Sequence, residues 1–345
     1  MAIEEPPERS SELSPSQALL QMTAGHWISQ AIYVAAKLGI ADLLRDSPKS
    51  SEELAQYTGA HPHALYRLLR ALASVGVFRE RGDGSFELTP RATCLRSDVP
   101  GSLRAVAIMR CEPHFWRPCG RLLHSVQTGQ PAFDEMYGMR FFEYLAQHPQ
   151  DATTFGQAMF VNVAQKHTAV AHAYDFSRFG TVVDVGGGHG ALLTAILTTH
   201  PHVRGVLFDQ PHVVEAARPR ITAAGLAPRC DLVSGDFFAS VPAGGDAYTL
   251  SEILHDWNDP QATIILRNIR RAMPEHGKVL ILEQVIPPGN DPHEGKLRDL
   301  TMLAILGGLE RTKNEFRGLL RDAGFTLAGI TQTASPMSVI EGVFV

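Results

Sequence analysis

Apolar residues in the first half of the chain recur at helical spacing. Ile28, Ile32, Ala35, Ala36, Leu38, Ile40 and Leu43 follow that period between Ser16 and Arg45, and Gly39 is expected to split the stretch into two helices. Ser50-x-x-Glu53 is a capping box opening a short helix, Gly59 closes it, and Leu65, Leu68, Leu69 and Leu72 form the apolar stripe of the next. Val77–Glu80 and Phe86–Leu88 alternate about Gly82-Asp83-Gly84 like a hairpin. Helix, helix, hairpin is the outline of a winged helix. From Pro100 to Gly180 the pattern is helical and rich in large side chains; Phe155 and Met159 share one helix face, fit either to fill a core or to wall a flat aromatic ligand.

After Gly180 the period changes. Short β-branched runs at Thr181–Val185, Val203–Phe208, Asp231–Val233, Ala247–Leu250 and Lys278–Leu282 alternate with helical stretches. That alternation predicts an α/β, Rossmann-like doubly wound parallel sheet with helices on both faces. The chain thus divides into a loose polar arm at 1–15, an all-α winged-helix unit at 16–110, a helical linker lining the substrate pocket at 111–175, and the α/β domain at 176–345. The arm holds too few apolar groups to offset the entropy of ordering.

A formal net charge of −5 over 345 residues offers no field to gather nucleic acid or an anionic membrane. The second helix of the winged helix carries only Arg67 and Arg70, so DNA is not the expected partner and dimerisation is. Cys94, Cys111, Cys119 and Cys230 are scattered, without zinc-ligand spacing or a disulfide framework. No apolar run is long enough to span a bilayer, and the acidic, proline-bearing N-terminus is unlike a signal sequence, which leads to an expected cytoplasmic location. A small molecule fits best as partner.

The chemistry concentrates at the ends of the predicted strands. Asp184-Val185-Gly186-Gly187-Gly188-His189-Gly190 joins the first strand to a helix, and glycines there let backbone approach a ligand whose anionic group meets the helix N-terminus. A G-x-G-x-x-G reading is imperfect, with Gly186, Gly188 and Ala191 at the matching positions. Asp209 ends the second strand, where it can accept ribose hydroxyls. NAD and S-adenosylmethionine both satisfy these two elements. Asp236 beside Phe237 after the third strand supplies an acceptor for an adenine amino group and a face to stack on, and favours the latter. Each acid read singly is also a helix cap.

His255, in Leu254-His255-Asp256-Trp257, falls just past the fourth strand, at the edge where doubly wound sheets hold ligands. A neutral imidazole of pKa about 6.5 suits accepting a proton from a phenol as its oxygen attacks a methyl group. A carboxylate can orient its second nitrogen; Glu283, ending the fifth strand, and Glu310, in Gly307-Gly308-Leu309-Glu310-Arg311-Thr312, are the candidates.

Together these elements resemble the class I O-methyltransferases that include plant caffeic acid and flavonoid enzymes, hydroxyindole O-methyltransferase, and bacterial enzymes of secondary metabolism acting on phenazines and polyketides. The resemblance runs from the N-terminal winged helix through Asp184–Gly190, Asp209-Gln210-Pro211, Gly235-Asp236-Phe237, the His-Asp-Trp run and the Gly-Gly-x-Glu-Arg-Thr run. It implies a homodimer built through residues 16–110 and a metal-free transfer from S-adenosyl-L-methionine, leaving S-adenosyl-L-homocysteine, to a hydroxyl of a small aromatic. It further implies His255 as base flanked by Glu283 and Glu310, and Gly186, Asp209, Asp236 and Phe237 around the cofactor, where the loop itself also places Asp184 and Gly188. Met159 and Met302 match methionines that sandwich the acceptor. Ser251 departs from the pattern, standing where many relatives carry Lys or Arg near the adenine, and Gln210 replaces a Leu. Two rival functions share these features. One is a cofactor-binding relative catalysing decarboxylation, hydroxylation or a pericyclic step, and the other is a non-enzymatic winged-helix regulator.

Overall fold

A computed structural model describes residues 14–159, 161 and 163–345, the side chain of Ala164 aside; residues 1–13 of the expected arm lie outside them. The chain forms two units, Met1–Glu112 with Thr154–Val161, and Pro113–Thr153 with Asn162–Val345.

In the first unit Ser14 opens the helix Pro15–Thr23 with a capping box. Gly25–Lys37 and Ile40–Leu43 follow, so the stretch expected as two helices is three. Gly39 makes the second break, in the left-handed conformation at φ 66°. The Ser50–Glu53 box begins Ser51–Thr58, Gly59 ends it at φ 68°, and Pro62–Ser74 follows. β1 (Phe78–Glu80) and β2 (Phe86–Leu88) pair antiparallel as the wing. Ile40, Leu54, Leu69, Phe78 and Phe86 are buried together as the core of this unit. The first two helices, by contrast, leave Leu20 68%, Trp27 70% and Met22 76% exposed.

In the second unit β3 (Thr181–Val185), β4 (Arg204–Asp209), β5 (Cys230–Ser234), β6 (Ala247–Ser251) and β7 (Lys278–Glu283) form the parallel core of the sheet, each within a residue of its predicted bounds. β8 (Val285–Ile286) and β9 (Arg311–Thr312) make a short parallel pair apart from it. β10 (Phe325–Gln332) and β11 (Ser338–Phe344) complete the sheet in the order β10-β11-β7-β6-β3-β4-β5. Both run antiparallel to their neighbours, so the sheet expected to be parallel is mixed. Only a short link separates β10 from β11, enough for a hairpin and too little for the helical crossover that parallel pairing needs.

Alternate residues of the strands feed two apolar layers. Val182 packs with Leu192, Leu193 and Ile196 on one face; Val183, Val185, Tyr248 and Leu250 pack with Ile265, Leu266, Ile269 and Phe316 on the other. The helix Ala191–Thr199 lies so close to β4 that a Cβ on Gly205 would meet three atoms of Leu193 at 2.8, 2.9 and 2.9 Å. No helix among the described residues is long and apolar enough to cross a membrane. Gly205→Ala is expected to destabilise the protein by about 1–3 kcal/mol through overpacking. Chemical denaturation checks this, and an unchanged midpoint would mean that the helix yields without cost.

Candidate active site

The parallel strands end at one edge, and the loops leaving them build the site. Gly186, Gly188 and Gly190 all have positive φ, at 70°, 54° and 74°. The N–H groups of Gly186 and Gly187 donate to the Phe208 carbonyl at 2.8 and 3.2 Å, which draws the glycine loop over the end of β4. A Cβ on Gly186 would lie 2.5 Å from Ile253 Cδ1, whereas one on Gly188 would meet nothing within 4 Å. The loop is therefore packed beneath and open at Gly188. Asp209 holds it there, its Oδ2 accepting from the Gly188 N–H at 2.8 Å and its Oδ1 from Gln210 at 2.7 Å. Asp184 lies underneath, fully buried, accepting from Thr249 Oγ1 at 2.8 Å. Burial pushes its carboxyl up to about 7, despite that hydrogen bond, and its Oδ2 has no hydrogen-bond partner among the described residues.

Asp236 caps its own turn, accepting from the Phe238 N–H at 2.8 Å, while Asn268 Nδ2 donates to the carbonyls of Phe237 and Phe238 at 2.8 and 2.9 Å. The capping geometry weighed as the alternative for these acids is thus present at Asp236, and Asp209 likewise binds loop N–H groups. Ser251 faces His167, with Oγ 3.1 Å from Nε2. Burial drives the His167 pKa down to about 4 against the pull of Glu252, so that ring stays neutral.

His255 sits in a 3₁₀ turn, Leu254–Asp256, and is buried. Its Nδ1 donates to Glu310 Oε1 at 3.0 Å, and its Nε2 faces Asp256 Oδ1 at 3.3 Å. Glu283, expected beside the ring, instead accepts from the His255 backbone N–H at 3.0 Å. It fixes the turn and not the imidazole. Burial opposes a charge on the ring, but Asp256, Glu310 and Glu283 outweigh it and raise His255 to about 9. Asp256 itself is pushed up to about 6 by burial and by the other carboxylates, against the pull of His255.

A second ring of charge surrounds this one. Glu252 is the one non-glycine at positive φ among the described residues, at 53°. Lys166 Nζ donates to both its oxygens at 3.1 and 3.3 Å, and Arg298 Nη1 donates at 3.3 Å. Burial would raise the Glu252 carboxyl, yet these cations and His255 bring it down to about 2. Arg298 Nε donates to Glu310 Oε1 at 2.6 Å, and Asp299 accepts from the Glu310 N–H at 2.7 Å.

The Gly-Gly-x-Glu-Arg-Thr run explains itself in this frame. Gly307, at φ 74°, ends the π-helical turn Met302–Leu306, whose Met302 is buried. A Cβ on Gly308 would lie 2.0 Å from the His255 carbonyl oxygen, and the Leu309 N–H donates to that oxygen at 2.9 Å. Arg311, wholly buried, donates to the carbonyls of Leu254 and Trp257 at 2.9 Å each, and to Asp259 at 2.8 and 3.0 Å. Thr312 then caps the helix Lys313–Asp322. A cleft of about 250 Å³ opens beside the turn, lined in part by Arg140, Phe142, Phe238, Asp256, Trp257 and Gln261.

All sequence-predicted residues but two therefore belong to the second unit. Phe155 and Met159 fall in the segment that groups with the first, where Met159 is 46% exposed. Sequence reasoning passed over Lys166, Glu252, Asp256, Arg298 and Asp299. Asp256 stood inside a quoted motif and Glu252 lies three residues before His255; Lys166, Arg298 and Asp299 reach the site over long or irregular separations that no spacing rule flags.

A family model described as an O-methyltransferase domain matches residues 120–326, and one for the O-methyltransferase dimerisation domain matches 20–98. A phenazine O-methyltransferase of Lysobacter antibioticus is 51% identical over 96% of this chain and 97% of its own. A phenazine-1-carboxylate N-methyltransferase of Pseudomonas aeruginosa is 33% identical over 93% of this chain and 95% of its own. The crystal structure of an O-methyltransferase from neocarzinostatin biosynthesis, in complex with S-adenosylmethionine and 2-hydroxy-5-methyl naphthoic acid, aligns with TM-score 0.84 at 34% identity, covering 97% of this chain and all of that one.

The raised pKa of His255 has a consequence for stability. A proton held more tightly in the folded than in the unfolded state stabilises fully below the unfolded pKa near 6.5 and ceases to do so as pH rises through about 9. The stability difference between the protein and His255→Gln is expected to shrink across that window, as urea denaturation at successive pH values will show. A constant difference would mean that the ring does not hold its extra proton.

Proposed function

The chain belongs to the S-adenosylmethionine-dependent O-methyltransferase family, and from this premise we propose that it methylates a hydroxyl of a small aromatic acceptor with His255 as general base. The observation that carries the reading is the 3.0 Å hydrogen bond from His255 Nδ1 to Glu310. A carboxylate only accepts, so the neutral ring keeps its hydrogen on Nδ1 and presents the Nε2 lone pair beside Asp256. An acceptor hydroxyl donates to that nitrogen as its oxygen attacks. Bound S-adenosylmethionine supplies the methyl group on a sulfonium.

The glycine loop fits such a cofactor. It is open at Gly188, Asp209 stands beside it, and Asp236 and Phe237 follow at the end of β5. A cation brought to this edge also opposes protonation of His255, moving its pKa from about 9 towards the ordinary range. Glu283 holds the turn and Glu310 the ring, and no step in this reading runs through a metal. Met302, buried in the second unit, is assigned to the acceptor. The 51% identity to a phenazine O-methyltransferase makes a hydroxylated phenazine the first acceptor to try.

Transfer to a ring nitrogen is the second reading. One relative is a phenazine N-methyltransferase, and an imidazolium at His255 leaves no base, which a nitrogen acceptor does not need. Hydroxyphenazines, hydroxynaphthoates and phenazine carboxylates should be assayed by mass spectrometry. For oxygen transfer His255→Gln is expected to lose 10²–10⁴ in turnover at pH 7, the range of a positioned general base, with cofactor affinity by calorimetry nearly unchanged. Wild-type turnover in that variant would rule the base out.

The dimerisation-domain match and the exposed Leu20, Met22 and Trp27 support a homodimer. Light scattering is expected to give the dimer mass for the protein and the monomer mass for Leu20→Glu/Trp27→Glu. A monomeric wild type would end this part of the proposal.

A further inference from the structure

Arg298 comes from the last turn of the helix Glu294–Thr301 and divides its guanidinium among three groups. Nε donates to Glu310 Oε1 at 2.6 Å, and Nη1 donates to Glu252 at 3.3 Å. Nη2 lies 3.4 Å from His255 Nδ1. The last contact cannot be a hydrogen bond while Nδ1 carries the hydrogen it gives to Glu310, because both nitrogens are then donors. It is a cation placed against the imidazole. The carboxylate oxygen at the centre, Glu310 Oε1, receives from both His255 and Arg298.

We infer that Arg298 is a positioning residue which seats Glu310 on His255 and weakens the hold of the surrounding carboxylates on the imidazole proton. The inference rests on the general-base reading above.

The charge balance gives the reason. Asp256 faces the ring from its own turn and Glu310 from the loop after Gly308, while Glu283, bound to the backbone N–H of the turn, and Glu252, three residues before His255, act on the ring through their charge. Four acids press the proton onto His255, and a base that never releases it cannot accept another. Among the cations, Lys166 is spent on Glu252, while Arg311 is turned to the carbonyls of Leu254 and Trp257 and to Asp259. Asp299 binds the Glu310 N–H. Arg298 is the cation that touches Glu310, Glu252 and the ring together. It neutralises two of the acids and repels the imidazolium directly, and both effects lower the proton affinity of His255. The planar fork reaches three groups; a lysine ammonium is a point charge that serves fewer.

The test follows the ring itself. In full-length protein with ¹³C-labelled histidine, the His255 Cε1–H resonance, assigned by its loss in His255→Gln, is titrated for the wild type, Arg298→Lys and Arg298→Met. The Arg298→Met midpoint is expected to move alkaline by about 1–3 units, the range that a charge within 4–6 Å exerts, and the Arg298→Lys midpoint by less. With a hydroxylated phenazine as acceptor, kcat of Arg298→Met at pH 7 is expected to fall at least about tenfold per unit of that shift and to recover as the pH passes the new midpoint. Unshifted midpoints with turnover lowered equally at every pH would overturn the inference and leave Arg298 a structural ion pair. Should Arg298→Met not fold, an unshifted midpoint in Arg298→Lys suffices to overturn it. Wild-type turnover in His255→Gln would instead sink the general-base reading, whatever the midpoints of the Arg298 variants.

Discussion

Among the described glycines of the second unit, Gly308 has the least room for a side chain, and what it meets is backbone. Gly308 lies against the carbonyl of His255 at a separation where a single methyl group would come within 2.0 Å of the oxygen. Everything around the imidazole depends on that approach. It lets the Leu309 N–H reach the same carbonyl, and it delivers Glu310 to Nδ1. It also places the Arg311 guanidinium under the turn, where two carbonyls and Asp259 absorb its donors. A residue with a Cβ at 308 would push the loop away, and the imidazole would lose its orienting acid while Arg311 lost the carbonyls that justify its burial.

The fold was largely legible because local periodicity and tertiary structure agree over it. Thr181–Val185 matched its predicted bounds, and its four parallel neighbours differ by a residue at one or both ends. β10 and β11 were missed because Thr326, Thr331 and Gln332 in the one, and Ser338, Glu341 and Gly342 in the other, dilute the apolar signal. In the site, His255 and Glu310 were visible through the motifs that hold them. The target of Glu283 was not: a strand-end acid points equally well at a ring or at a backbone N–H, and only the turn at Leu254–Asp256 decides between them. Arg298 and Lys166 escaped for another reason. Their partners lie 12 and 86 residues away, beyond any pattern that helix or strand geometry imposes.

Burying acids and bases together is costly, and this site limits the cost by sharing. Glu310 Oε1 serves two donors, Glu252 serves two cations, and Arg298 serves two carboxylates. Such a network rewards completeness, since removing one member strands a partner in a medium that solvates charge poorly. The left-handed Glu252 fits the same logic: a conformation that an L-residue rarely adopts is held in place by ion pairs to two separate elements.

The order of β10 and β11 bears on how the chain reaches this state. β11 is made after β10 yet lies inside it, paired with β7 from Ser338 to Val343. The sheet thus cannot grow outward by adding strands as they leave the ribosome; β10 has no edge to join until its successor exists. The hairpin must close first and dock as one piece, or β11 must find β7 across the intervening helices and leave β10 to follow. Either route leaves the flank of β7 uncovered from the time Glu283 is made until Ser338 and its successors follow, an exposed strand edge of the kind that recruits chaperones or mispairs with another chain. The loop carrying Glu310 lies between β7 and this hairpin in the chain, so the acid that orients the base leaves the ribosome after β7 and before the strand that covers its flank.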